Sequence, residues 1–210
     1  AASFLGDRGT LFHSIHADGK EAMLQAAHDY LTEADRVVTW NGTTFDIPWL
    51  NKEFLEHGFD APAPYANVDL LRTVKKSFRF PSNKLDYVAT RLLGQSKLTH
   101  TGFKLWKDCL AGNDAAWKLM ERYNRQDVVV TEKLYRKLLP WVSGIPAAGL
   151  YSGGTSGCPN CGSDKMIKRG FAQTAVSTYQ RLQCGGCGKW SRDAKRMLSR
   201  LPFLLSLVGM

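Results

Sequence analysis

The order of elements in this 210-residue chain predicts an α/β fold that carries a small, separate β module. Two observations predict the α/β part. Short β-branched runs alternate with helical patterns, an order that gives at least some parallel sheet. A long helical pattern at about residues 114–139 follows them, with apolar residues at helical spacing. A third observation predicts the module. Two Cys-x-x-Cys pairs lie beyond residues 143–157, a stretch rich in Gly, Ser and Pro that has linker composition.

The elements follow in order. Residues 11–16 read as a short strand, and Asp18-Gly19 turns the chain. Lys20 to Glu33 reads as an amphipathic helix with Met23, Leu24, Ala27 and Leu31 inward. Residues 36–40 are a β-branched run, hence a buried strand, ended by Asn41-Gly42. A helix at 48–57 takes Pro48 in its first turn, where proline is tolerated. Residues 61–64 are a stiff connector, 65–70 a strand with Asp69 near its end, and 71–77 a helix. A loop at 79–83 precedes a helix at 85–93, and a polar stretch at 95–101 precedes the long helix. Phe103 to Trp106 reads as packing rather than as a binding surface. The domains expected are 1–145, a linker at 146–157, a module at 158–193 and a tail at 194–210 that is helical or frayed.

Charge is unevenly placed along the chain. The total is +9, from 28 Lys/Arg and 19 Asp/Glu. Residues 146–210 hold 9 basic and 2 acidic residues, or +7, leaving +2 for residues 1–145. A basic appendage points to a polyanion, most simply nucleic acid. No apolar run is long enough to span a membrane, and no signal peptide is visible, so a cytoplasmic setting is expected. Four of the five cysteines are paired by spacing, and Cys109 stands alone as an inert thiol. A reducing compartment suits metal binding better than disulfides.

The chemistry concentrates on carboxylates. Tyr123 and Asp127 are four apart on the long helix, so they share one face. Asp46 follows a strand and a tight turn. This places it at the strand's C-terminal mouth, where ligands bind in open α/β sheets. Clustered carboxylates repel and are tolerated when a divalent cation neutralises them. Two-metal phosphodiester hydrolysis needs such a cluster.

Residues 41–48 (Asn-Gly-Thr-Thr-Phe-Asp-Ile-Pro) and 123–127 (Tyr-Asn-Arg-Gln-Asp) resemble the second and third motifs of the DEDD superfamily of 3′–5′ exonucleases, on a ribonuclease-H-like fold. The Tyr-x-x-x-Asp form marks the DEDDy branch. Residues 68–71, 78–87 and 101–106 resemble intervening motifs of a subfamily found in bacteria and their phages, so the likeness runs over about residues 10–145. The resemblance implies a mixed sheet flanked by helices. It also implies two Mg²⁺ or Mn²⁺ ions, with Asp127 a direct ligand and Asp46 holding the second ion, directly or through water. Tyr123 would orient the attacking water. Asn41 and Phe45 would shape the cleft, Phe45 against the terminal nucleotide. Asp69 would support the site, and residues 97–101 would touch backbone phosphate.

The chain departs from that pattern at the first motif, Asp-x-Glu on the central first strand: none of its aspartates has Glu two places on. Either the segment precedes Ala1 or the motif was lost. The 210 residues alone are therefore expected to be impaired, and the strand at 37–40 is expected to show an unpaired or differently filled edge.

Cys158, Cys161, Cys184 and Cys187 form two knuckles, each followed by a glycine, with strands expected at 166–171 and 178–183 between them. This is the pattern of a zinc ribbon whose four thiolates close a structural Zn²⁺ site. An iron–sulfur centre is the minor alternative. Lys168, Arg169, Arg181, Lys189 and Trp190, with Lys165, Arg192, Phe171 and Tyr179, combine charge and aromatic faces in a way that suits nucleic acid. The module resembles nucleic-acid-binding ribbons of phage enzymes and transposases, and a protein-docking role is the rival. The apolar residues 201–207 are a packing segment, a partner site or an abnormal end. The expected partner is nucleic acid, DNA ahead of RNA. Two other readings stand beside the exonuclease. One is a non-catalytic nucleic-acid-binding protein on a degenerate nuclease fold. The other is an endonuclease or transposase-like enzyme, which the Tyr-x-x-x-Asp spacing argues against.

Overall fold

The computed structural model describes residues 1–94, 102–148 and 157–197. The polar stretch at 97–101, the middle of the linker and the tail from 198 lie outside these described residues. The chain divides into two compact units, Ala1–Pro146 and Ala147–Met210.

The first unit is built on a parallel strand pair. β1 (Arg36–Thr39) pairs with β2 (Ala66–Asp69) in the register Arg36↔Ala66 to Thr39↔Asp69. The chain between them crosses over through α3 (Asp46–Glu56). Parallel neighbours require such a crossover. β1 is half-buried along its length rather than fully buried. Among the described residues β1 pairs with β2 alone.

Helices cover this pair. α2 (Lys20–Glu33) buries Leu24 and Leu31 against Phe54 of α3, with Met23, Ala27, Val37, Ile47 and Leu50 around them. α4 (Leu70–Ser77) and α5 (Leu85–Leu93) bury Leu70, Val74, Val88 and Ala89. α7 (Asp114–Leu138) is the longest element. Asn113 caps it by accepting the Ala116 N–H, and Arg136 and Lys137 suit its negative C-terminal end. Pro140 lies in the 3₁₀ turn Leu139–Trp141 that follows.

Two expectations for this unit are corrected. Residues 11–16 are not a strand: Leu11 makes a single bridge to Ala2, and Ile15–Asp18 forms a one-turn helix, α1. The Ser14 hydroxyl accepts the Ala17 N–H while Asp18 accepts the Ser14 N–H, a reciprocal cap that outweighs the local β pattern. Phe103 and Trp106 are not core. α6 (Phe103–Leu110) buries Leu105 and Cys109 against Ala116 and Met120 of α7. Phe103, Trp106 and Leu110, at i, i+3 and i+7, lie on its outer face, 74%, 56% and 86% exposed.

The turn after β1 is tightly made. Asn41 has a φ of +69°, the left-handed region that asparagine enters more readily than most residues. Gly42 is buried against Thr39, and a Cβ there would lie 2.5 Å from the Thr39 Cβ. Gly42→Ala is expected to destabilise the unit by about 1–3 kcal/mol. This would be read as a lower urea midpoint at unchanged slope.

The second unit is a three-stranded antiparallel sheet in the order β3 (Met166–Gln173), β4 (Thr178–Cys184), β5 (Trp190–Met197). The third strand corrects the expectation of a helical or frayed segment from 194. Residues 190–197 lack a strong β pattern of their own and are ordered by pairing with β4. A bulge lies between Lys168 and Phe171 on β3.

Candidate functional site

The acidic site begins where the two parallel strands end. Asp69 is only 6% exposed. One of its oxygens, Oδ1, accepts the N–H of Asn41 and of Leu71, each at 3.0 Å. One carboxylate thus caps α4 and fixes the turn after β1, which is the support role expected of it. Its other oxygen, Oδ2, is buried without a hydrogen-bond partner among the described residues.

From that turn the chain enters α3. The Asn41 carbonyl accepts the Phe45 N–H, the Gly42 carbonyl accepts the Ile47 N–H, and the Thr44 hydroxyl donates to the Asn41 side-chain oxygen at 2.7 Å. Asp46 therefore opens α3 just past the end of β1. Pro48 sits in that same first turn, where its missing N–H costs nothing. Phe45 and Trp49 flank Asp46 and are both exposed, and Lys52 lies 5.7 Å from the Trp49 ring centroid. Burial raises the pKa of Asp46 above the ordinary carboxylate value, and the charge of Asp69 pushes the same way. Its own backbone N–H and the Ala1 amine oppose them.

A raised folded-state pKa means that ionisation works against folding here. The contribution favours the fold fully below the unfolded pKa and is lost as pH rises through the folded one. Asp46→Asn is therefore expected to make the metal-free chain more stable at pH 7, with the difference vanishing at about pH 3 or below. Denaturant melts across that range check it.

α7 carries the other two predicted residues. Its buried positions Ala116, Met120, Val130, Leu134 and Leu138 form one stripe. Tyr123 and Asp127 fill the middle of that stripe, and both are half-buried. Tyr123 packs against the Leu105, Cys109, Ala116 and Met120 cluster. Arg125, between them in sequence, was not singled out from the sequence. It donates to the carbonyl and hydroxyl oxygens of Thr10, pairs with Glu121 at 2.7 Å and lies over the Phe12 ring. It ties the N-terminal segment to α7. Both Asp46 and Arg125 act on the Ala1 amine, whose pKa is lowered by burial and by Arg125 and supported by Asp46. Among the described residues, neither Asp46 nor Asp127 belongs to a group of three close Asp, Glu, His or Cys side chains.

The four cysteines do form such a group. Their sulfurs lie within 4.8 Å of one another, with Cys158–Cys187 and Cys161–Cys184 each at 3.6 Å. A tetrahedral ion with bonds of about 2.3 Å has edges of about 3.8 Å, so the donor set fits Zn²⁺. The glycines after each pair close the knuckles through N–H bonds from Gly162 to the Cys158 carbonyl and from Gly188 to the Cys184 carbonyl. N–H groups that reach sulfur include those of Asn160, Gly186 and Cys187. Burial opposes ionisation of Cys184, but two of those N–H groups and the neighbouring thiols prevail and hold its pKa at about 6. Burial raises Cys161 to about 12.

The basic residues of the sheet are not all on one face. Arg181 opposes Arg192, and Gln183 opposes Trp190. Lys168 opposes Leu182, one position out of step, and so belongs to the other face. Arg169 lies in the bulge, and its carbonyl accepts the Arg181 Nε–H at 2.9 Å. Lys189 precedes β5, and its carbonyl accepts the Cys184 N–H.

A parallel strand pair with acids at its C-terminal end and a long helix forms an α/β unit. Sequence comparison agrees: the model of the family RNase_H_2, of the RNase_H superfamily, matches residues 3–139. The chain belongs to the ribonuclease H superfamily, whose members are nucleases that use divalent metals and bind nucleic acid. No curated protein matches the chain at a significant level. Among the described residues no helix is long and apolar enough to cross a membrane.

Proposed function

We propose that the chain is built for metal-dependent 3′–5′ exonucleolytic hydrolysis of DNA or RNA, of the DEDDy type. The observation that carries this reading is the placement of Tyr123 and Asp127. They interrupt the buried stripe of α7, in a superfamily of nucleases, with Asp46 at the end of β1. The donors are oxygens only, which suits Mg²⁺ or Mn²⁺, and the partnerless Asp69 oxygen adds negative potential. Asp127 and Asp46 would hold the ions, which supply an activated water and charge neutralisation at the phosphate. Tyr123 orients the water through its hydroxyl. Asn41 holds the turn that aims Asp46, and Phe45 offers an exposed ring to the terminal base. Residues 1–145 form the nuclease domain, 146–157 the linker, and the four-cysteine sheet a zinc ribbon that grips nucleic acid, DNA ahead of RNA. A bacterial or phage origin and a cytoplasmic setting belong to the same reading.

Two carboxylates carry too little charge to fix two hydrated ions, so the 210 residues alone are expected to hydrolyse slowly. Fusing an Asp-x-Glu strand ahead of Ala1 should raise the rate. The test uses linear strands labelled at either end, and circles, with Mg²⁺ or Mn²⁺ against chelator. Nucleotides released from 3′ ends with circles left intact support the proposal, and cut circles overturn it. Tyr123→Phe should lower the rate by about 100-fold with little change in substrate affinity. That the 210 residues hold no Asp-x-Glu favours a second reading, a non-catalytic nucleic-acid-binding protein on a degenerate nuclease fold. Binding without cleavage in the fused chain would select it.

A further inference from the structure

The geometry of the ribbon points to one of its faces as a stacking platform for single-stranded nucleic acid. This rests on the reading of the ribbon as a nucleic-acid grip and names its face, its residues and its ligand class.

The face is set by register. Arg181 and Arg192 stand directly opposite each other on β4 and β5. Like charges directly opposite destabilise a sheet. Neither arginine has an acidic partner among the described residues, and the unit 147–210 holds only 2 acidic residues against 9 basic ones. Each guanidinium instead lies over an aromatic ring on the facing strand. Arg181 is 4.9 Å from the Trp190 ring centroid, and Arg192 is 4.3 Å from that of Tyr179. Both arginines are exposed, and Trp190 is 47% exposed.

The pattern has a direct use. A guanidinium held flat on a ring keeps edge donors free for phosphate oxygens. Arg181 spends its Nε–H on the Arg169 carbonyl, which fixes its plane, and its terminal nitrogens remain. The two rings are separated by roughly four residues of strand, about 13 Å, room for several nucleotides between them. Aromatic faces take bases only where bases are unstacked from a partner strand, which selects single strands over duplex. The opposite face, with Lys168 and Phe171, lacks these paired stacks among the described residues.

The test measures anisotropy of labelled oligo(dT), oligo(rU) and a duplex, each of about 30 nucleotides, on the full chain without Mg²⁺ or Mn²⁺. Binding is then read independently of cleavage. Single strands should bind at least 10-fold tighter than duplex, and the dT and rU arms tell DNA from RNA. Trp190→Ala should weaken single-strand binding by 10-fold or more. Arg192→Gln, an exposed change that leaves the sheet intact, should lower the slope of log affinity on log salt by about 0.7. Duplex bound as tightly as single strand, or both variants binding like the parent, overturns the platform. Cleavage with no such binding sinks this inference alone, and binding without cleavage in the chain fused to an Asp-x-Glu strand, assayed with Mg²⁺ or Mn²⁺, sinks the nuclease reading alone.

Discussion

Removing the metal from the four cysteines is expected to unfold the sheet of residues 166–197 while the helices of Ala1–Pro146 persist. Among the described residues of the second unit, the buried side chains are Cys158, Asn160 and Cys184. Among these described residues no apolar core stands behind the strands. In such small modules the metal supplies about 10–16 kcal/mol of apparent binding free energy, which is folding free energy. Cys184→Ser removes a buried ligand that accepts N–H bonds from Gly186 and Cys187. Elemental analysis should find one zinc per chain in the parent and much less in the variant. Amide exchange should show protection across β3 to β5 lost on chelation and kept across α7. Protection of the strands that survives chelation would refute the structural role of the metal.

Asp127→Asn is the second large effect. The change keeps shape and packing in the middle of the α7 stripe and removes one negative charge. A first-sphere ligand matters more than the outer-sphere partners whose loss already costs 10–100-fold. Hydrolysis should fall by more than about 100-fold in the chain fused to an Asp-x-Glu strand, with the thermal midpoint little changed. Retention of the parent rate would remove Asp127 from the catalytic centre.

Spacing explains what the sequence made legible. α2 and α7 were readable because their apolar residues recur at helical intervals, and the four cysteines because their separation leaves few other uses. The Asn41-Gly42 turn was readable as chain punctuation, and its structure adds the reason: one residue takes a positive φ and the next is pressed on Thr39. Three features depend on contacts that an apolar pattern does not reveal. β5 exists through β4. Ile15 and His16 turned helical through a reciprocal cap that a β pattern conceals. The outer stripe of α6 was hidden because Phe103, Leu105 and Trp106 are all apolar, and only packing on α7 decides that Leu105 goes in. Arg125 was overlooked because its work lies with Thr10 and Phe12, more than a hundred positions away.

The unburied strands of the cysteine module carry a consequence for how such proteins diversify. Among the described residues β3 and β5 are mostly exposed and β4 buries Cys184 alone, so little of the sheet is reserved for internal contacts. Substitutions across it escape the packing constraints that restrain ordinary domains. Ligand preference there is free to drift between lineages at little risk to the scaffold.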